Sequence, residues 1–231
     1  MEKDTQNIAS AEQKSARSSY TNMDEWISRF RLAFSNGQLP HILPEMEKVG
    51  YTKERLDDYL AQTNALQAAA QQQKKEYGEQ YAETEKFDTL RIKIAKLFRK
   101  HRALLKLFFK GNTQVYTLLR LNDEPTAAYS TWLQLVTNFY TQLKNDPELL
   151  AEASKVSVTE AAVDSALEQL ETLRALKKSQ RKELSEAQTA TEVRDRAFDE
   201  LYPHYRDFIE YAKIVLEDDQ ALEAIGVVVK R

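Results

Sequence analysis

The sequence predicts an all-α protein, an internally duplicated helical bundle with long helices in a pseudo-twofold repeat. Three observations predict it. Residues 40–112 align with residues 147–219 at a constant shift of 107 without a gap, and 20 of the 73 pairs are identical, far above the level of unrelated segments. Only five Gly and five Pro occur in 231 residues, too few to punctuate an all-β chain. Between these breakers, apolar residues recur in steps of three and four, the period of a helix with one buried face.

Residues 1–19 are polar and aperiodic and read as a flexible N-terminal tail. Residues 20–121 form helical repeat 1 and residues 122–231 form helical repeat 2. The first helix of repeat 1 spans 23–34, with Trp26, Ile27, Phe30, Ala33 and Phe34 on one face and Asn36-Gly37 as its stop. Its counterpart spans 126–143, with Trp132, Leu135, Val136, Phe139, Tyr140 and Leu143 in phase, and ends at Asn145-Asp146-Pro147. Both tryptophans are expected in the core. A short helix follows in each repeat, over 44–49 and 147–155.

Thr52 and Thr159 come next, and their hydroxyls suit the N-cap of a long segment because they can accept from the orphan amides of the following turn. These segments run to 110 and 217, interrupted only by Gly78 and Pro203. In the first, Leu56, Leu60, Thr63, Leu66, Ala70, Gln73, Tyr77, Tyr81, Thr84, Phe87, Leu90, Ile94, Leu97, His101, Leu104 and Phe108 follow an average step near 3.5, the signature of a coiled coil. Each segment is either one helix or a hairpin bending near Thr84 and Thr191, and the absence of Gly or Pro at the bend favours one helix. Pro203 is expected to bend the second. Short apolar pieces at 115–119 and 222–229 close the repeats as helical turns or extended segments. If the long helices run antiparallel, the shared polar residues at mid-length, Gln73, Lys75, Glu76, Glu79, Thr84, Glu85 and Asp88, face their counterparts near a twofold axis.

Composition narrows function. The net charge is −3 and the pI about 5.8, so no overall positive field recruits polyanions. Cysteine is absent, which removes disulfides and thiolate chemistry and suits a reducing, cytoplasmic setting. No apolar run approaches the ~20 residues of a membrane span, and the first residues lack the apolar stretch of a secretory signal. Five scattered glycines cannot build a phosphate loop, and none of the three histidines, His41, His101 and His204, lies in a metal or catalytic motif. No catalytic residue, cofactor or metal site is expected.

Glu200, His204 and Asp207 have ligand-like spacing but fall opposite the apolar stripe of their helix, as a solvated face does. His101 falls inside its stripe and is expected to be buried against a hydrogen-bonding neighbour such as a tyrosine. The sharpest electrostatic feature is residues 86–110, where nine basic residues stand against Asp88 alone. Arg91, Lys93, Lys96, Arg99, Lys100 and Lys106 form a candidate interaction face opposite the apolar stripe. Such a face is solvated or self-complementary, or meets an acidic protein, a nucleic acid or a lipid surface. The matching segment of repeat 2, 192–219, has nine acids against Arg194, Arg196, Arg206 and Lys213, which argues against a duplicated nucleic-acid surface. The expected function is therefore a non-enzymatic helical scaffold or protein–protein interaction protein. Nucleic-acid or acidic-ligand binding through 86–110 is the alternative, and a cryptic enzyme or metal protein the third.

The blocks LPEMEKVGYT, YGEQYAETEKFD, YPHYRDFIEYAKIVL and ALEAIGVVV resemble a family of bacterial tandem-repeat helical proteins of about this length with no established activity. The resemblance implies a bacterial source and assigns no site residues.

Overall fold

The computed structural model describes residues 23–229, and the expected tail at 1–19 lies outside the described residues. Among them every regular element is helical: α1 (Met23–Asn36), α2 (Leu43–Glu47), α3 (Lys53–Phe108), α4 (Thr113–Leu118), α5 (Tyr129–Asn145), α6 (Pro147–Ser154), α7 (Glu160–Val215) and α8 (Asp219–Ala224). The two long segments are continuous helices of 56 residues each. At the points where a hairpin would bend, the polar groups are satisfied without a break. The Thr191 hydroxyl donates back to the Ala187 carbonyl at 2.9 Å, and Thr84 Oγ1 accepts from Gln180 at 3.3 Å. α7 runs through Pro203 to its end at Val215.

Helix ends follow their sequence signals. Thr52 and Thr159 accept from the amides of Arg55 and Ala162 at 3.4 and 3.3 Å, while Asn112, Asp146 and Asp218 cap α4, α6 and α8. The short helices end in left-handed turns at Gly50, Arg120, Ser157 and Gly226. The amide after each turn reaches back five residues: Tyr51 to Met46, Leu121 to Tyr116, Val158 to Ala153 and Val227 to Leu222. This is the Schellman arrangement, and glycine serves it best because it alone has no Cβ to strain.

The chain forms two compact units, and each takes a stretch of both long helices. Among the described residues, unit 1 comprises those from Met23 to Glu76 and from Glu186 to Val229, and unit 2 comprises Tyr77–Ser185.

The core of unit 1 is strongly aromatic. Phe30 and Phe34 of α1 meet Phe198, Tyr205 and Phe208 of α7, with Tyr51 against Phe208 and Tyr59 against Phe34. The contacts of Tyr51 with Phe208 and Tyr211, and of Tyr59 with His204, set α3 and α7 antiparallel in this unit. Trp26 makes edge contacts with Tyr202 at 5.2 Å and Phe198 at 5.9 Å. It lies at the rim of the core rather than inside it, with the Arg29 guanidinium over its ring at 5.0 Å.

The core of unit 2 is built from Trp132, Leu135, Val136, Phe139, Tyr140 and Leu143 of α5, all of them expected there, against Phe87, Ile94, Phe98 and Leu105 of α3 and Val163, Ala166, Leu170 and Leu173 of α7. The buried stripe of α3 departs from the 3.5 step after Ile94. Phe98 and Leu105 are buried, whereas Leu97 and Leu104 are half-buried and Phe108 is exposed. Packing against α5 turns the stripe to that flank, where Phe98 meets Phe139 edge-on at 5.1 Å.

Candidate interaction surface

The stretch of α3 in unit 2 from Phe87 to its end is held by one side. Phe87, Ile94, Phe98, His101 and Leu105 are buried, and a helix turns about 100° per residue. Ile92 stands two residues before Ile94 and Leu107 two after Leu105, so both point away from the core: Ile92 is 66% exposed and Leu107 76%. Around them Lys93, Lys96, Arg99, Lys100 and Lys110 are exposed as well. The result is a cationic stripe with two large aliphatic side chains in it.

The six residues of the candidate face do not all serve it. Arg91 is half-buried, donates to the Ala127 carbonyl at 3.0 Å and lies 5.8 and 5.5 Å from the ring centroids of Tyr129 and Trp132, so it ties the loop before α5 to α3. Lys106 is half-buried, and its carbonyl accepts from the Tyr116 hydroxyl at 2.5 Å. Arg99 donates along its own helix to Ala95 at 3.2 Å. Two other cations of the run are engaged. Lys86 pairs with Glu83 at 2.6 Å, and that hydrogen bond raises the lysine pKa and lowers that of Glu83. Arg102 donates to the Leu121 carbonyl at 2.8 Å and to the Asp123 carbonyl, and approaches Glu124 at 3.6 Å. Lys93, Lys96, Lys100 and Lys110 have no ion pair with any described residue. The free part of the face is therefore this lysine set with Ile92 and Leu107. The two aliphatics were readable from the helical phase, since both fall opposite the buried stripe.

The matching stretch of α7 in unit 1 has the opposite sign. Glu200, Asp207, Glu210 and Glu217 are exposed, and Ile214, two residues after buried Ala212, is 76% exposed. Asp207 pairs with neighbouring Arg206 at 3.1 Å. Glu200, His204 and Asp207 do not converge as ligands. His204 lies flat on Tyr59 with ring centroids 4.9 Å apart and planes 17° from parallel.

His101 is 4% exposed, and its Nδ1 is 3.2 Å from the Tyr140 hydroxyl, the tyrosine partnership expected from its place in the stripe. Burial, with a smaller effect from Lys100, lowers its pKa, and burial raises that of Tyr140. The pair sits inside the apolar core of unit 2, where it fills a structural place. In unit 1, His41 is exposed at the edge of a hollow of about 370 Å³ lined also by Glu45, Val215, Leu216, Glu217, Asp218 and Ala221.

No helix among the described residues is long and apolar enough to cross a membrane. Comparison with protein-family models, curated proteins and solved structures gives no match.

Proposed function

We propose that this protein is a non-enzymatic helical scaffold that acts by binding another protein through the exposed α3 face of unit 2. One observation carries the reading: Ile92 and Leu107 are solvent-exposed on the same stripe as four lysines without a described ion-pair partner. Exposed aliphatics flanked by charge suit a helix-lined surface of another protein, where burial of each side chain is worth about 1.5–3 kcal/mol and the charges set register and partner choice. The same lysines would suit phosphates, which makes a nucleic acid the alternative ligand. A phosphate backbone, however, gives Ile92 and Leu107 nothing to bury against.

We also infer that the two halves descend from one duplicated unit related by a pseudo-twofold arrangement. In support, the long helices begin at 53 and 160 and end at 108 and 215, both at the shift of 107 that relates their sequences.

A photoreactive side chain at exposed Ala103, on the same face, used in extract of the native host with and without the double reversal Lys96→Glu, Lys100→Glu, tests the binding reading. A protein adduct formed by the native face and lost on reversal supports it. Nucleic-acid binding that weakens steeply with salt and disappears on reversal, without a protein adduct, would replace it with the alternative.

A further inference from the structure

We propose that the protein this face binds is a second copy of the same chain: the basic stripe of α3 in one molecule docks on the acidic stripe of α7 in the next. The proposal rests on the protein-binding reading above and gives the partner its identity.

The two stripes match in layout and oppose in charge. At the constant shift of 107, Lys93 corresponds to Glu200 and Lys100 to Asp207 on the exposed helix faces, and Lys110 to Glu217 just past the helix ends, three reversals of sign, while Arg99 and Lys106 keep theirs as Arg206 and Lys213. The same shift pairs Leu107 with Ile214, and each is 76% exposed. Here one face is cationic, the other anionic, and each keeps a large aliphatic side chain exposed at the matching place.

Charge within the basic stripe is uncompensated, and within the acidic stripe only Asp207 is paired, with Arg206. Lys93, Lys96 and Lys100 follow one another at spacings of three and four, where like charges on a helix repel, and none has an ion pair with a described residue. Glu200, Glu210 and Glu217 likewise pair with no described residue. Bringing the two stripes together relieves the repulsion among the lysines and covers Ile92, Leu107 and Ile214. Every copy carries one stripe of each kind, so the contact joins unlike faces of two molecules.

The stripe from Ile92 to Lys110 extends about 27 Å at 1.5 Å per residue. A two-helix contact of that length falls below the ~1,200 Å² of stable interfaces. The association is therefore weak, concentration-driven and sensitive to salt.

Sedimentation velocity of the full chain from ~10 to ~500 µM, at ~50 and ~500 mM salt, tests it. The expected result is a weight-average mass that rises with concentration at low salt, with an apparent Kd at least tenfold weaker at high salt. The double variant Lys96→Glu, Lys100→Glu should stay monomeric, and so should Glu200→Lys, Asp207→Lys. Mixed in equal amounts, these two variants present complementary faces again and should regain association. A native chain that is monomeric throughout, an association indifferent to either reversal, or a mixture that stays monomeric would each overturn the proposal. If the native chain is monomeric while its α3 face still cross-links a different protein, self-recognition fails and the protein-binding reading stands. If it does neither, both fall. Unchanged far-ultraviolet circular dichroism of each variant shows that lost association is not lost fold.

Discussion

Residues 101 of α3 and 208 of α7 correspond at the shift of 107, and each closes the core of its unit, yet they do so by different chemistry. Phe208 in unit 1 is fully buried and meets Phe34 at 5.6 Å and Tyr51 at 5.2 Å, both edge-on. His101 in unit 2 is buried to nearly the same degree but is held by the Tyr140 hydroxyl. One place in a helix accepts either an apolar ring or a polar ring, provided the neighbours either pack it or bond it. The apolar solution depends on shape and the polar one on protonation, so the two units should respond to different insults.

The largest effect is expected at the apolar solution. Phe208→Ala empties space inside a ring cluster that cannot collapse around it, and should cost about 3–5 kcal/mol in urea denaturation. A loss below 1 kcal/mol would mean that the ring is not the keystone of unit 1. Gly37→Ala probes the same contact from the other side. A Cβ at position 37 would come within 2.7 Å of Phe208 Cζ and 3.0 Å of the Ala33 carbonyl, so the ring must move, at a cost of about 1–3 kcal/mol. Combined with Phe208→Ala, this penalty should shrink to the part set by the Ala33 carbonyl, since the clashing ring is gone.

In unit 2 the corresponding probe is Tyr140→Phe, which leaves His101 Nδ1 buried without its partner at a cost of about 1–2 kcal/mol. Here pH adds a second test. Burial lowers the His101 pKa below its ordinary 6.5, so between the folded and unfolded values the unfolded chain binds more protons than the folded one. The stability in question is full above about pH 6.5 and is lost as pH falls through the lowered folded value. His101→Gln should remove that part of the pH dependence. An unchanged acid slope in the variant would assign it to other groups.

How far the sequence discloses these features depends on which interaction decides each one. α5 was legible residue by residue because the six buried residues named from its phase all face one core, and a single face obeys a single period. The long helices were legible as continuous because no breaker occurs at Thr84 or Thr191. The rim position of Trp26 was not legible, because helical phase names the face of a residue and not its depth beneath Arg29. Neither was the turn of the α3 stripe from Leu97 to Phe98, which depends on where α5 packs. The division of each long helix between two compact units also depends on long-range packing. The candidate face could be read in outline from charge, but separating Arg91 and Arg102, which hold loops, from Lys93, Lys96 and Lys100 required knowing where the chain at 121–127 passes.

A smaller difference lies in the turns that end the short helices. The chain turns left-handed at Gly50 and Gly226, and at Ser157 and Arg120, with φ of 86°, 91°, 66° and 52°. Position 157 aligns with position 50 at the shift of 107, and the chain strains a serine at 157 where it has glycine at 50. Ser157→Gly and Arg120→Gly should each raise stability by about 0.5–1 kcal/mol, because the relief of a left-handed side chain exceeds the entropy glycine adds to the unfolded chain. Gly226→Ala should lower it, since a Cβ there meets Leu32 Cδ2 at 3.2 Å as well as an unfavourable φ. Destabilisation by either glycine substitution would show that the native side chain contributes more than its backbone strain costs.

The smallest expected change in stability belongs to the surface that the binding proposals need most. Lys96 and Lys100 are exposed and have no ion pair with a described residue, so reversing each to Glu should change the folding free energy by no more than about 0.5 kcal/mol. The sign should favour the variant slightly at low salt, because each reversal relieves repulsion from Lys93, Arg99 and the remaining lysines of the stripe. Reversing Glu200 and Asp207 in unit 1 should be equally quiet. Near-neutral stability with a large change in association would separate the two roles of α3, one face holding the core of unit 2 and the other addressed to a partner. A loss of several kcal/mol on reversing Lys96 or Lys100 would instead make the lysines part of the fold, and the contrast between the basic and acidic stripes would then belong to folding rather than to recognition.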